Sequence, residues 1–310
     1  MSAIINEYLD NVRSNLRLDP PEEKEILSEL ATHIEDEVQE LENKGLREEE
    51  AVKTCIKFLG SAKSVARLIY EAHSQGTWQQ ALMAALPHVL FGLIFFLNWW
   101  QGIGPVLITL IAILITTVYG WWRGRSSWLF PWLGYSLLPV VAAGLSFLYL
   151  PTGFAWMAII VYLPLALWLI VKAVKRTIKK DWVYMSLMLL PMPAIVGWLA
   201  VTTWTGDTDT GVWGHLAYYG PYIGASFLAL AFGVMSFVRA RRRWLKIGVL
   251  ILTGMITLFL IVIYSWGQLS FISLLLLILL LISIFLVPAL LENGARNGKW
   301  GKIFEHHPMS

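Results

Sequence analysis

Cysteine is almost missing from this chain of 310 residues; Cys55 stands alone, which excludes an internal disulfide. Charge is scarce as well, at 15% of residues against 57% hydrophobic. The residue patterns of several familiar active sites are absent. There is no HExxH, GxSxG, P-loop or CxxC, and the His306–His307 pair near the end has no apparent partner residues. No catalytic residue, cofactor site or metal site is therefore assigned, and an enzyme is not expected. The first 70 residues also lack the uninterrupted apolar core of a signal peptide, so this head is expected to stay in the cytoplasm.

The charge that is present is unevenly placed. Residues 1–80 hold nine Lys+Arg and sixteen Asp+Glu, a net of −7, whereas residues 81–310 hold fifteen and five, a net of +10. A basic body suggests nucleic acid in a polar protein. Here the cations lie between long apolar runs, which points to a membrane surface and not to direct nucleic-acid contact.

Beyond Trp78 the cations fall into clusters: Arg123 and Arg125; Lys172, Lys175, Arg176, Lys179 and Lys180; Arg239, Arg241, Arg242, Arg243 and Lys246; then Arg296, Lys299 and Lys302 in the tail. The apolar blocks between them are about twice the ~20 residues one bilayer crossing needs. Each block breaks near its middle, at "NWWQGIGP", "LPTG", "TWTGDTDTGVWG" and "SWGQLS". The pattern predicts eight spans, approximately 81–98, 105–122, 129–149, 154–173, 182–202, 219–238, 245–264 and 270–290. All twelve cations of the first three clusters then fall in cytoplasmic loops and none in the four outer turns, placing both chain ends inside a plasma membrane. Trp78, Trp128, Trp182 and Trp244 open the blocks, and Trp99, Trp100, Trp204, Trp213 and Trp266 gather at the outer turns, as indoles do at headgroup level.

With the cations assigned to loops, the spans are read as free of acidic and basic residues, which disfavours coupled ion transport. His88 is the titratable candidate left, read as a hydrogen-bonded or interfacial imidazole in preference to a proton relay. Prolines are plentiful in the spans, most densely in "LLPMPAIVGW" at 189–198, and can kink helices around a cavity. In the outer turn, read as 203–222, Asp207, Asp209 and His215 match a calcium loop poorly, so a solvated loop is expected.

The acidic head carries strong helix signals. "DPPEEKEILSELATHIEDEVQELENKG" opens on Pro20–Pro21 with acids in its first turn and stops at Lys44–Gly45. Leu27, Leu30, Ile34, Val38 and Leu41 trace one apolar stripe, while Glu25, Glu29, Asp36 and Glu40 gather opposite. Ile5, Leu9, Val12 and Leu16 mark a helix before it. Ala51, Val52, Cys55, Ile56 and Leu59 mark one after it, closed by Gly60, with Ser61 capping a fourth. Cys55 is read as a small core residue. Four such stripes can bury one another.

The run "EYLDNVRSNLRLDPPEEKEILSELATHIEDEVQELENKGLREEEAVKTCIKFLGSAKSVARLIYEAH" resembles the HAAS or permease-prefix domain, through its Pro-Glu-Glu start, "L..H..D...EL...G" run, "EEEAV", "LG" and "A..L". The resemblance covers about residues 4–75. It implies a small helical bundle fused to membrane helices and, as a partner, a PadR-type transcriptional regulator. The resulting expectation is an all-α protein with a cytosolic domain at 1–76, a transmembrane domain at 77–291 and a cytosolic tail at 292–310. Its expected role is a non-enzymatic sensor coupling membrane state to a cytosolic partner. A permease component for an apolar substrate and a membrane-anchored scaffold are the alternatives. Glu25, Glu29, Asp36 and Glu40 are the expected partner contacts. Lys175, Arg176, Lys179, Arg241, Arg242 and Arg243 are expected to meet anionic lipid headgroups or to receive the acidic stripe reversibly.

Overall fold

The computed structural model describes residues 3–18, 20–101, 103–122, 128–136, 181–204, 211–265 and 269–296. Expectations for the span at 154–173, for most of the span at 129–149, for Lys175, Arg176 and Lys179, and for Asp207 and Asp209 lie outside the described residues. Every regular element among the described residues is helical. The chain divides into two units, Met1–Gln75 and Gly76–Ser310.

The first unit holds α1 (Ala3–Asn15), α2 (Pro20–Asn43), α3 (Glu48–Leu59) and α4 (Ala62–His73). The apolar stripes meet in one core in which Ile5, Val12, Ile34, Val38, Val52, Cys55 and Ala66 are buried, with Leu27, Leu30 and Leu41 packed against it. Full burial of a Val- or Ile-sized side chain is worth about 1.5–3 kcal/mol, so this shared core is what holds four short helices together. The helix ends follow their local chemistry. Glu22 and Glu23 occupy the first turn of α2, and Gly45, with φ of 98°, follows its end. Gly60 takes φ of 87° and its N–H bonds Ile56 O, stopping α3; the Ser61 side chain accepts from the Ser64 N–H, starting α4. Tyr8 Oη donates to Gly60 O at 3.0 Å and ties α1 to this corner.

The second unit contains α5 (Trp78–Phe96), a 3₁₀ turn (Trp99–Gln101), α6 (Ile103–Trp122), α7 (Leu129–Ser136), α8 (Trp182–Leu189), α9 (Pro191–Trp204), α10 (Gly211–Arg239), α11 (Arg243–Tyr264) and α12 (Phe271–Arg296). Five stretches are long and apolar enough to cross a membrane: 78–96, 182–202, 214–239, 243–264 and 271–294. α8 and α9 form one of these, interrupted at Leu190 before Pro191 within the proline-dense segment. A capping box between Thr77 and Gln80 fixes the start of α5.

One boundary differs from the sequence expectation. The outer turn read as 203–222 is helical from Gly211 onward, and Pro221 sits inside α10. Aromatic packing explains this extension: Tyr219 meets Trp198 at a centroid distance of 5.8 Å, and Tyr222 stacks on Tyr264 at 4.0 Å. Those contacts hold as helix a segment whose Gly and Pro content alone reads as turn.

Among the described helices of this unit, α5 and α10 make the most intimate pair. Their backbones approach because Gly220 and Gly224, one turn apart on α10, face α5 at Phe95 and Gly92 respectively. A Cβ on Gly224 would lie 2.8 Å from Gly92 O, and one on Gly220 would lie 2.9 Å from Phe95 O. Small residues four apart permit such crossings where packing must supply the association energy.

Candidate functional site

Two polar or ligand-sized features stand out in the second unit. The first is a charged network at one end of the helices. Asp181, fully buried, opens α8 by accepting from the Val183 N–H, and it receives two hydrogen bonds from the Arg243 guanidinium, at 2.9 and 3.1 Å. Glu292, buried near the end of α12, accepts the Trp182 N–H at 2.8 Å. Two carboxylates thus sit at the N-terminus of α8, where unpaired N–H groups favour negative charge. Lys246 Nζ donates to Tyr184 Oη at 3.2 Å and lies over the rings of Tyr184 and Phe237. Arg239 donates to Gly76 O at 2.9 Å and covers the Trp78 ring. The starts of α5, α8 and α11 therefore meet the ends of α10 and α12, so the described charges of this unit collect at one end of the helices.

The spans were read as free of ionisable residues, yet Lys246 lies within the membrane-length stretch 243–264 with no exposed surface. Buried Glu292 lies within 271–294, and Asp181, just before 182–202, is buried too. Such charges are tolerated in an apolar unit because partners replace their hydration. Arg243, one of the cations expected to meet lipid or the acidic stripe, is half-buried and bonded to Asp181, whereas Arg241 and Arg242 are exposed.

The second feature is a partly open cavity of about 170 Å³ lined by α5, α9 and α10. Phe91, Phe95, Trp198, Ile223 and Phe227 supply most of its walls, with Ile195, Leu199 and Leu216. Its polar members are satisfied elsewhere: Trp198 Nε1–H donates to Ser226 Oγ at 3.0 Å, and Thr202 Oγ1 donates to Trp198 O at 3.0 Å. Among its described lining residues the cavity therefore offers rings and methyl groups and no open donor. Behind it, Tyr135 stacks on Phe91 at 4.7 Å and meets the His88 ring edge-on at 5.0 Å. His88 is fully buried, and among the described residues neither its ring nitrogens nor Tyr135 Oη has a hydrogen-bond partner. The hydrogen bond expected for this imidazole is not found among the described residues.

In the first unit, Glu25, Glu29, Asp36 and Glu40 are all exposed on α2, on the face the spacing predicted. Lys44 hydrogen-bonds Glu40 and holds that carboxyl below its ordinary range. Burial raises the Cys55 thiol and the Tyr8 hydroxyl above theirs. Among the described residues no group of three or more His, Cys, Asp or Glu is placed to hold a metal ion.

The cavity and the charged network were not read from sequence. Their residues come from segments far apart in the chain: Asp181 and Arg243 lie 62 positions apart, Trp182 and Glu292 110. The Gly220–Gly224 spacing was the one local signal that could have located the helix crossing beside the cavity. Comparison of the chain with protein-family models, with curated proteins and with solved structures finds no match.

Proposed function

We propose that this chain is a non-enzymatic sensor of the plasma membrane, with eight spans and both ends cytoplasmic. On this reading it recognises a small apolar molecule dissolved in the bilayer and relays occupancy to a cytosolic regulator, of PadR type by the resemblance of the head to HAAS domains. The observation that carries the reading is the cavity of about 170 Å³ between α5, α9 and α10, walled by aromatic rings. Apolar cavities near 150 Å³ stay dry and accept a single aromatic ring, so the expected ligand class is a small apolar or aromatic molecule. α5, which supplies Phe91 and Phe95, is also the helix into which the chain of the head continues. A change in its packing is therefore passed along the backbone toward the acidic face carrying Glu25, Glu29, Asp36 and Glu40.

Fluoroindole is a suitable probe. In ¹⁹F spectra of the full chain in nanodiscs, saturable binding is expected. Ile195→Trp, which fills the cavity, should abolish it, and bound probe should alter hydrogen exchange in α2–α4. Partition into lipid alone, equal for both proteins and without change in the head, contradicts the reading.

A further inference from the structure

The charge of the head is segregated beyond the acidic face of α2. Residues 51–70 contain Lys53, Lys57, Lys63 and Arg67 and no acid, whereas the first 50 residues carry fifteen acids and five cations. Within this basic stretch the sequence repeats itself at a distance of ten: "KTCIKF" over 53–58 and "KSVARL" over 63–68. Each copy places two cations four apart, on one side of its helix, followed at once by a large apolar residue.

Both apolar residues point into solvent. Phe58 is 79% exposed and Leu68 58% exposed, while Ala51, Val52 and Cys55 of α3 and Ala66 and Tyr70 of α4 fill the core. The exposed pair is thus not a by-product of poor packing, because each helix has buried a separate face. Lys57, Lys63 and Arg67 are exposed beside them. Lys53 is paired with Glu49 across one turn of α3.

We infer that the exposed faces of α3 and α4 form a binding surface for anionic phospholipid, with Phe58 and Leu68 entering the headgroup zone and Lys57, Lys63 and Arg67 meeting phosphate. Cations around exposed aromatic and aliphatic side chains match the interfacial region of a bilayer on both counts, charge and apolar contact. An acidic protein groove would satisfy the cations equally. Lipid is favoured because only Ser74–Thr77 separates α4 from the first membrane-length helix, so headgroups are present at high effective concentration. The acidic face of α2 carries charge of the same sign as the lipid and is repelled by it. The inference needs the membrane reading of α5 and is independent of the cavity and its ligand.

The test uses the full chain in a Cys55→Ala background, with a nitroxide at position 58, 68 or, as reference on α2, 33. The protein is placed in nanodiscs of phosphatidylcholine alone or mixed with phosphatidylglycerol. Collision with oxygen and with a water-soluble nickel chelate reports depth. Labels at 58 and 68 should move from aqueous to interfacial accessibility when phosphatidylglycerol is present, and the label at 33 should stay aqueous. High salt should weaken the shift, and Lys57→Glu with Lys63→Glu and Arg67→Glu should remove it; since all three are exposed, unchanged helical circular dichroism is expected to accompany the loss. Aqueous accessibility at 58 and 68 in both lipid mixtures overturns the inference, as it would if the surface served an acidic protein. Equal burial in both mixtures overturns it too, because the anionic headgroup would then contribute nothing.

Discussion

At the residue scale, two tyrosines illustrate how partners decide what a buried hydroxyl does. Tyr8 Oη donates to Gly60 O and joins α1 to the α3–α4 corner. Tyr135 Oη is buried and has no partner among the described residues, next to a His88 in the same condition. Removing a satisfied hydroxyl leaves its acceptor bare, at a cost of about 1 kcal/mol, whereas removing an unsatisfied one relieves a desolvation penalty of about 1–3 kcal/mol. Tyr8→Phe should therefore loosen the head. Cys55, buried in the same core, reports the change: its alkylation rate in the full chain should rise several-fold. Tyr135→Phe should leave the thermal midpoint of the detergent-solubilised protein unchanged or raise it. A clear fall in that midpoint would mean that the Tyr135 hydroxyl has a role the packing does not reveal.

At the scale of elements, the crossing of α5 on α10 depends on backbone proximity at Gly92, Gly220 and Gly224. Gly224→Val would set a branched side chain where even a Cβ lies 2.8 Å from a carbonyl oxygen. Overpacking of this kind costs about 1–3 kcal/mol and forces helices apart. The variant should lower the thermal midpoint by several degrees and lose fluoroindole binding, because the same two helices wall the cavity. Gly104→Val, open to space on α6, is the matched control and should do neither. Elements are also where the sequence was most legible. The stripe from Leu27 to Leu41, the stop at Gly60 and the cap at Ser61 are written in neighbouring residues, so spacing alone predicts them. Local spacing could not show that Lys246 is buried beneath Phe237 or that Arg243 reaches Asp181, because those partners come from other helices. Cations near a helix end read equally as loop residues or as buried ones. Only tertiary packing separates the two outcomes. The continuation of α10 back to Gly211 was missed for the same reason: the rings of Trp198 and Tyr264 that stabilise it belong to neighbouring helices.

At the scale of the whole molecule, the proposed function requires the two units to meet different solvents. One unit is a four-helix structure with an acidic α2 and a basic α3–α4 surface. The other carries five membrane-length helices, with its described charges drawn to one end and an aromatic cavity among its helices. Composition made that division visible before any fold was known, since a net of −7 gives way to +10 at residue 80. It did not reveal the cavity, whose walls come from three separated segments. The proposed relay requires the head and the charged ends of the helices to face the cytoplasm. Single cysteines in a Cys55→Ala background test this most directly, one at exposed His33 in the head and one at exposed Trp99 in the turn after α5. In intact cells treated with a membrane-impermeant maleimide, position 99 should label at once and position 33 only after permeabilisation. Labelling of position 33 from outside, with position 99 protected, would contradict the account.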